Sequence, residues 1–140
     1  MVSARQPFLD WFDSELSDGR LDADNLAARA VSVAMAELVQ DRFSEAELQA
    51  LETAKACLTG SVSEPDRMAK LVPLFNTRDA LMKAGQVRSE AFFLNQILVS
   101  SLVTHGGLNP QMSELLDDVR EGLGLREEVC IEIVRRVIGG

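Results

Sequence analysis

The chain reads as an all-α protein: one compact single-domain bundle of seven or eight helices across residues 1–140. Three observations predict this. Apolar residues recur at three- and four-residue spacing almost everywhere, the mark of helices with one buried face. No run of strict two-residue alternation is bounded by turn residues, so strands find no support. Ser, Pro and Gly fall where helices of ordinary length would start and stop. The content of 46% hydrophobic and 26% charged residues is that of an ordinary globular domain, and the length suits a single core.

Each element has its own signal. A first helix is expected from Phe8 to Leu16, with Pro7 at its start and Gly19 past its end. The second runs from about Asn25 to Gln40, with Asp22 or Asp24 as its cap. Leu26, Ala30, Val33, Ala34 and Leu38 form its stripe, and Ala27, Val31, Met35 and Val39 widen it, as expected of a central helix. Ser44 and Glu47 make an S-x-x-E capping box for the third helix, in which Leu48, Leu51, Ala54 and Leu58 face inward before Gly60 ends it. Ser61 or Ser63 opens the fourth, with Pro65 in the first turn. Pro73 lacks an amide and its ring crowds the preceding turn, so a break or kink is expected near Val72 before the helix reaches Gly85.

Ser89 or its neighbourhood starts the next helix, rich in Phe92, Phe93, Leu94, Ile97, Leu98, Leu102 and Val103, which stops at His105-Gly106-Gly107. Asn109-Pro110 caps and starts another, with Met112, Leu115, Leu116, Val119 and Leu123 on one side. Gly124 separates it from a last helix carrying Leu125, Val129, Ile133 and Val137. The runs from Leu26 to Val39 and from Phe92 to Val103 are the expected centre. Truncating Leu38 or Leu102 to Ala would then cost about 2–5 kcal/mol.

Charge and targeting signals narrow the function. The net charge is −8, which argues against a general nucleic-acid binder and against docking on an anionic membrane. The N-terminus has no apolar core of signal-peptide length, and the most apolar stretch, from Ala91 to Val103, falls short of the roughly 20 residues of a membrane span. A cytoplasmic protein without membrane insertion is expected. Cys57 and Cys130 lie in apolar helical patterns without a C-x-x-C, so buried structural thiols are expected. His105 is the sole histidine, too few for a zinc site of His and Cys, and is expected in a loop or at a helix end. No phosphate-binding glycine loop, nucleophile elbow or H-E-x-x-H is present. Asp117 and Glu121, four residues apart, read as a solvated helix face. A catalytic site and a resident cofactor are not expected.

Two stretches echo each other. Ala30–Leu51 and Gln96–Leu116 each hold an apolar helix ending in Leu-Val, a short loop, one apolar residue (Phe43 or Leu108) and a capping residue (Ser44 or Asn109). They are candidates for a duplicated helix-loop-helix unit. This layout resembles the tellurite-resistance TerB-like superfamily of all-helical domains, over about residues 25–138. In the first copy Asp41 stands at the family's Asp, Arg42 replaces its Gly, Phe43 is the apolar position, Ser44 the cap and Glu47 the Glu. In the second, His105 replaces the Asp, Gly106 keeps the Gly, Leu108 is apolar, Asn109 caps and Met112 replaces the Glu. The stretch from Glu121 to Val129 also looks like the family's ending. The resemblance implies stress or defence physiology and, through Asp41 and Glu47, a divalent-cation site. A hard cation wants six to eight oxygens, and the second copy supplies no carboxylate at the matching positions. Asp41 therefore reads first as a loop residue and Glu47 as a capping partner.

One segment reverses the chain-wide sign. Residues 67–88 hold Arg67, Lys70, Arg78, Lys83 and Arg88 against Asp79 alone. Such a patch can steer an acidic partner. The neighbours Phe92 and Phe93 point about 100° apart on a helix, so one can be core while the other is partly exposed. The expected function is a non-enzymatic protein-interaction domain, acting through a protein partner or by self-association, with Arg67, Lys70, Arg78, Lys83 and Arg88 as the contact residues. The alternatives are a divalent-metal-binding protein using Asp41 and Glu47, and an acidic immunity or antitoxin-type protein.

Overall fold

Local capping chemistry sets the helix starts. The computed structural model describes residues 25–103 and 110–138, with side chains at 29–103 and 115–137. It contains α1 (Asn25–Leu38), a 3-10 turn (Gln40–Arg42), α2 (Glu45–Cys57), α3 (Glu64–Lys83), α4 (Glu90–Leu102), α5 (Pro110–Gly122) and α6 (Glu127–Ile138). Among the described residues there are thus six α-helices and no strand. The expected helix from Phe8 to Leu16, the caps Asp22 and Asp24, and the loop with His105, Leu108 and Asn109 lie outside the described residues.

The capping box forms: the Glu47 amide donates to Ser44 Oγ at 3.3 Å, and the Ser44 amide donates to Glu47 Oε1 at 2.8 Å. Ser63, not Ser61, caps α3, accepting from the Asp66 amide at 3.3 Å. Ser89 caps α4 and accepts from the Phe92 amide at 3.2 Å. At the far end of α5 the Leu125 amide donates to the Arg120 carbonyl at 2.8 Å and the Gly124 amide to the Glu121 carbonyl at 3.1 Å. This closure needs a left-handed residue, and Gly124 supplies it at φ 73°.

The core is built around α4. Phe93, Leu94, Ile97, Leu98, Val99 and Leu102 are all buried, and so are Asn95, Ser100 and Ser101. A helix buried on most of its circumference is a central one. α1 is its broadest neighbour, α2 and α3 pack on further faces, and α5 also lies against it. α6 packs on α1, and its Cys130 and Val134 join the buried core cluster. Gly122 lets α5 approach closely: a Cβ there would overlap the Phe93 ring, coming within 2.7 Å of its Cγ.

Four expectations are corrected by the packing. Leu38 is 42% exposed, while its neighbour Val39 is fully buried. The chain leaves α1 at that point for the 3-10 turn, and Val39 turns into the core in place of Leu38. Leu48 is exposed, and Ala50 joins Leu51 and Ala54 on the inner face of α2. α3 is continuous through Pro73, so the helix does not break at Val72. Pro73 and Ala69, whose carbonyl loses the proline's missing amide, are both exposed, so water can take that acceptor. Asp117 is fully buried. Arg120 Nε donates to its Oδ1 at 3.0 Å, an ion pair inside the fold where a solvated face was expected.

Candidate functional site

The five basic side chains of residues 67–88 do not form one surface. Arg67 is only 7% exposed. Its Nη1 donates to the Leu102 carbonyl at 2.7 Å, Nη2 lies 3.3 Å from Met68 Sδ, and Nε pairs with Glu64. That hydrogen bond holds the Glu64 carboxyl below its usual range. Arg67 therefore closes the last turn of α4 from α3 and is removed from the expected contact set. An acceptor 35 residues away in the chain pulled it inward.

Of the other four, Lys70, Arg78 and Lys83 lie on α3 in different settings, and Arg88 lies in the turn after it. Lys70 is half-buried against α2, and its Nζ lies 3.5 Å from Gln49 Oε1. Arg78 is half-buried, and Lys83 and Arg88 are exposed. The Arg88 guanidinium stands 5.5 Å above the centroid of the Phe93 ring. Phe93 is core, Phe92 is half-buried, and the two rings meet edge to face at 6.1 Å and 79°. The split expected for this pair is therefore present.

One flank of α3 carries exposed apolar side chains. Met68, Val72, half-buried Phe75 and Met82 fall within about 80° of one another around the helix axis. Val72 is 46% and Met82 48% exposed. Of the six large hydrophobic residues exposed in the described part of the chain, four lie at Met68, Val72, Met82 and Val87. Asp79 interrupts the stripe, Lys83 is the last residue of the helix, and Arg88 follows in the turn after it. Sequence periodicity showed the apolar residues of α3 spread around the axis but could not say which flank stays uncovered.

The opposite flank of α3 forms a cleft with α2. Its volume is about 400 Å³, and its lining includes Ala46, Ala50, Ala69, Pro73, Leu74 and Asn95. Lys70 and Gln49 stand across it from one another. Two shallower hollows continue along the same helix pair, and Lys70 borders both. Sequence reasoning missed this cleft; Asn95 in the middle of an apolar helix was the signal that could have raised it.

The acidic candidates have local duties. Asp41 is exposed in the first turn of the 3-10 segment. Glu47 is bound into the cap of α2. Arg42, at the family's Gly position, pairs with Glu90 at 3.3 Å and donates to the Leu123 carbonyl at 2.9 Å, joining its turn to α4 and to the end of α5. Among the described residues no group of three His, Cys, Asp or Glu side chains could hold a metal ion. Both thiols are free. Burial pushes the half-buried Cys57 thiol up and drives buried Cys130 up to about 11, so neither carries the depressed pKa of a nucleophile. No helix among the described residues is long and apolar enough to cross a membrane. Compared with family models, with curated proteins and with solved structures, the chain matches none.

Proposed function

We propose that this chain is a non-enzymatic helical interaction domain that binds an acidic protein partner through the outer flank of α3. The observation that carries the reading is the apolar stripe of Met68, Val72 and Met82 on one flank of α3, with Lys83 at its C-terminal end and exposed Val87 and Arg88 in the turn that follows. Scattered single apolar residues on a surface need no explanation, but several gathered on one flank of a helix support an interaction site. The local positive charge in a chain of net −8 selects the sign of the partner and sets the orientation of approach. The contact set is revised accordingly: Arg67 leaves it, Lys70 faces the cleft, and Lys83 and Arg88 remain beside the apolar side chains. The TerB-like resemblance supports a role in stress or defence physiology.

Site-specific photo-crosslinking in the native host tests this. A crosslinker at Val72 or Met82 should capture a distinct acidic protein, and one at Leu48 on α2 should not. Lys83→Glu with Arg88→Glu should weaken binding of that protein about tenfold or more at low salt, with the difference shrinking as salt screens it. Equal capture from Leu48, or unchanged affinity in the folded double variant, overturns the reading. Capture of a second copy of the chain, with a dimer in sedimentation, replaces the acidic partner by self-association.

A further inference from the structure

Residues 1–24 are both acidic and aromatic. Six acidic residues stand there against Arg5 and Arg20. Phe8, Trp11 and Phe12 are spaced i, i+3 and i+4, which places them within about 100° of one another on the expected helix from Phe8 to Leu16. Acidic charge with an apolar face is the chemistry that the outer flank of α3 calls for.

This segment lies outside the described residues, but α1 fixes the place where it joins them. The Glu64 carboxyl is lowered chiefly by its hydrogen bond with Arg67, and further by the charge of Arg29 in the second turn of α1. α1 therefore begins near Glu64. Glu64 stands one turn before Met68, within the same arc of about 80° that holds Met68, Val72 and Met82. Residues 1–24 thus enter the fold at the N-terminal end of the exposed stripe. Met68 to Met82 measures about 21 Å along the helix axis. The eight residues from Ser17 to Asp24 reach about 26 Å when extended, so a helix ending at Leu16 can lie along any part of that length.

The two surfaces match in kind. Met68 and Met82 have flexible thioether side chains, which pack well against aromatic rings. Lys83 and Arg88 supply positive charge beside them, and the segment is acidic, which biases its approach. Tethering also raises the effective concentration of the segment to about millimolar, so weak contacts suffice.

We propose that the segment from Phe8 to Leu16 docks its aromatic face on the outer flank of α3 and covers that flank until an acidic partner displaces it. The displacement rests on the reading of this flank as the partner surface; the docking does not.

Trp11 is the sole Trp, so the full-length protein carries its own probe. Its fluorescence should lie at shorter wavelength than that of indole in water and resist quenching by acrylamide. Val72→Asp together with Met82→Asp alters only exposed side chains of α3. The double variant should shift the emission to the red and lose the protection, with far-UV circular dichroism unchanged. Leu48→Asp on α2 should change neither. If the double variant loses helical signal, Phe8→Ser with Phe12→Ser gives the reciprocal test: amide NMR signals should shift at Met68, Val72 and Met82 and stay in place around Leu48. A solvent-like Trp11 in the parent, a Trp11 still protected in the folded α3 variant, or unshifted α3 amides in the segment variant overturns the docking. Photo-capture of the acidic partner from Val72 should rise in the Phe8→Ser, Phe12→Ser variant, and unchanged capture overturns the displacement. Capture of nothing from Val72 in either form counts against the partner reading alone, since the Trp11 emission needs no partner and still decides the docking.

Discussion

At the scale of single residues, Gly122 shows how a neighbour reverses an ordinary rule. Replacing a helical Gly with Ala usually stabilises by about 0.5–1 kcal/mol, because Gly loses more backbone freedom on folding. Gly122 is exposed and helical, so the rule predicts a gain. Its Cα instead lies against the Phe93 ring, which is core and held between Phe92 and Arg88. The added methyl must push an aromatic ring that has little room to move. Gly122→Ala is expected to destabilise by about 1–3 kcal/mol, the usual cost of overpacking. Urea unfolding decides it by sign alone: a stabilised Gly122→Ala would mean that α5 does not press on Phe93.

Between elements, Arg67 ties α3 to the end of α4. A helix leaves its last carbonyls without intrahelical donors, and the Leu102 carbonyl is met here by a guanidinium from another helix. Arg67→Met keeps length and apolar packing but removes the donor. The expected cost is about 1–3 kcal/mol, that of a buried acceptor left unpaired. Lys83→Glu, four turns along the same helix and exposed, should stay within about 0.5 kcal/mol of the parent. Parallel chemical denaturation of the two variants checks the contrast. Equal effects would show that Arg67 belongs to the surface after all.

For the whole molecule, the seam between α1 and α6 should report its integrity through pH. Cys130 is fully buried in α6, the helix that packs on α1, and its thiol is pushed up to about 11, chiefly by desolvation. An unfolded cysteine titrates near 8.5. The folded state therefore keeps this proton more tightly than the unfolded state. The stability tied to it is fully present below the unfolded pKa and is lost as pH rises towards 11, by on the order of 3 kcal/mol. Unfolding free energies measured from neutral pH to pH 11 should show this decline. A Cys130→Val variant should remove that part of it. An undiminished decline in the variant would assign the effect to other groups.

The sequence by itself determined the all-helical class and most helix ends in the described region. Ser44, Ser63 and Ser89 cap because a side-chain oxygen reaches an amide only three residues on, and Gly124 closes a helix for an equally local reason. Such contacts are complete within one turn of chain, so a linear reading finds them. The tertiary structure alone decided which side of each helix is covered. α1 and α2 are apolar over broad arcs, and which arc is buried depends on helices that arrive from elsewhere in the chain, so Leu38 and Leu48 are exposed while Val39 and Ala50 are buried. Arg67, Asn95 and Asp117 are polar and yet inside because a partner group meets each one there, for Arg67 and Asn95 from another helix. The cleft and the uncovered flank of α3 belong to the same class. Each is made where two helices meet or fail to meet, and no stretch of sequence shorter than the fold contains that information.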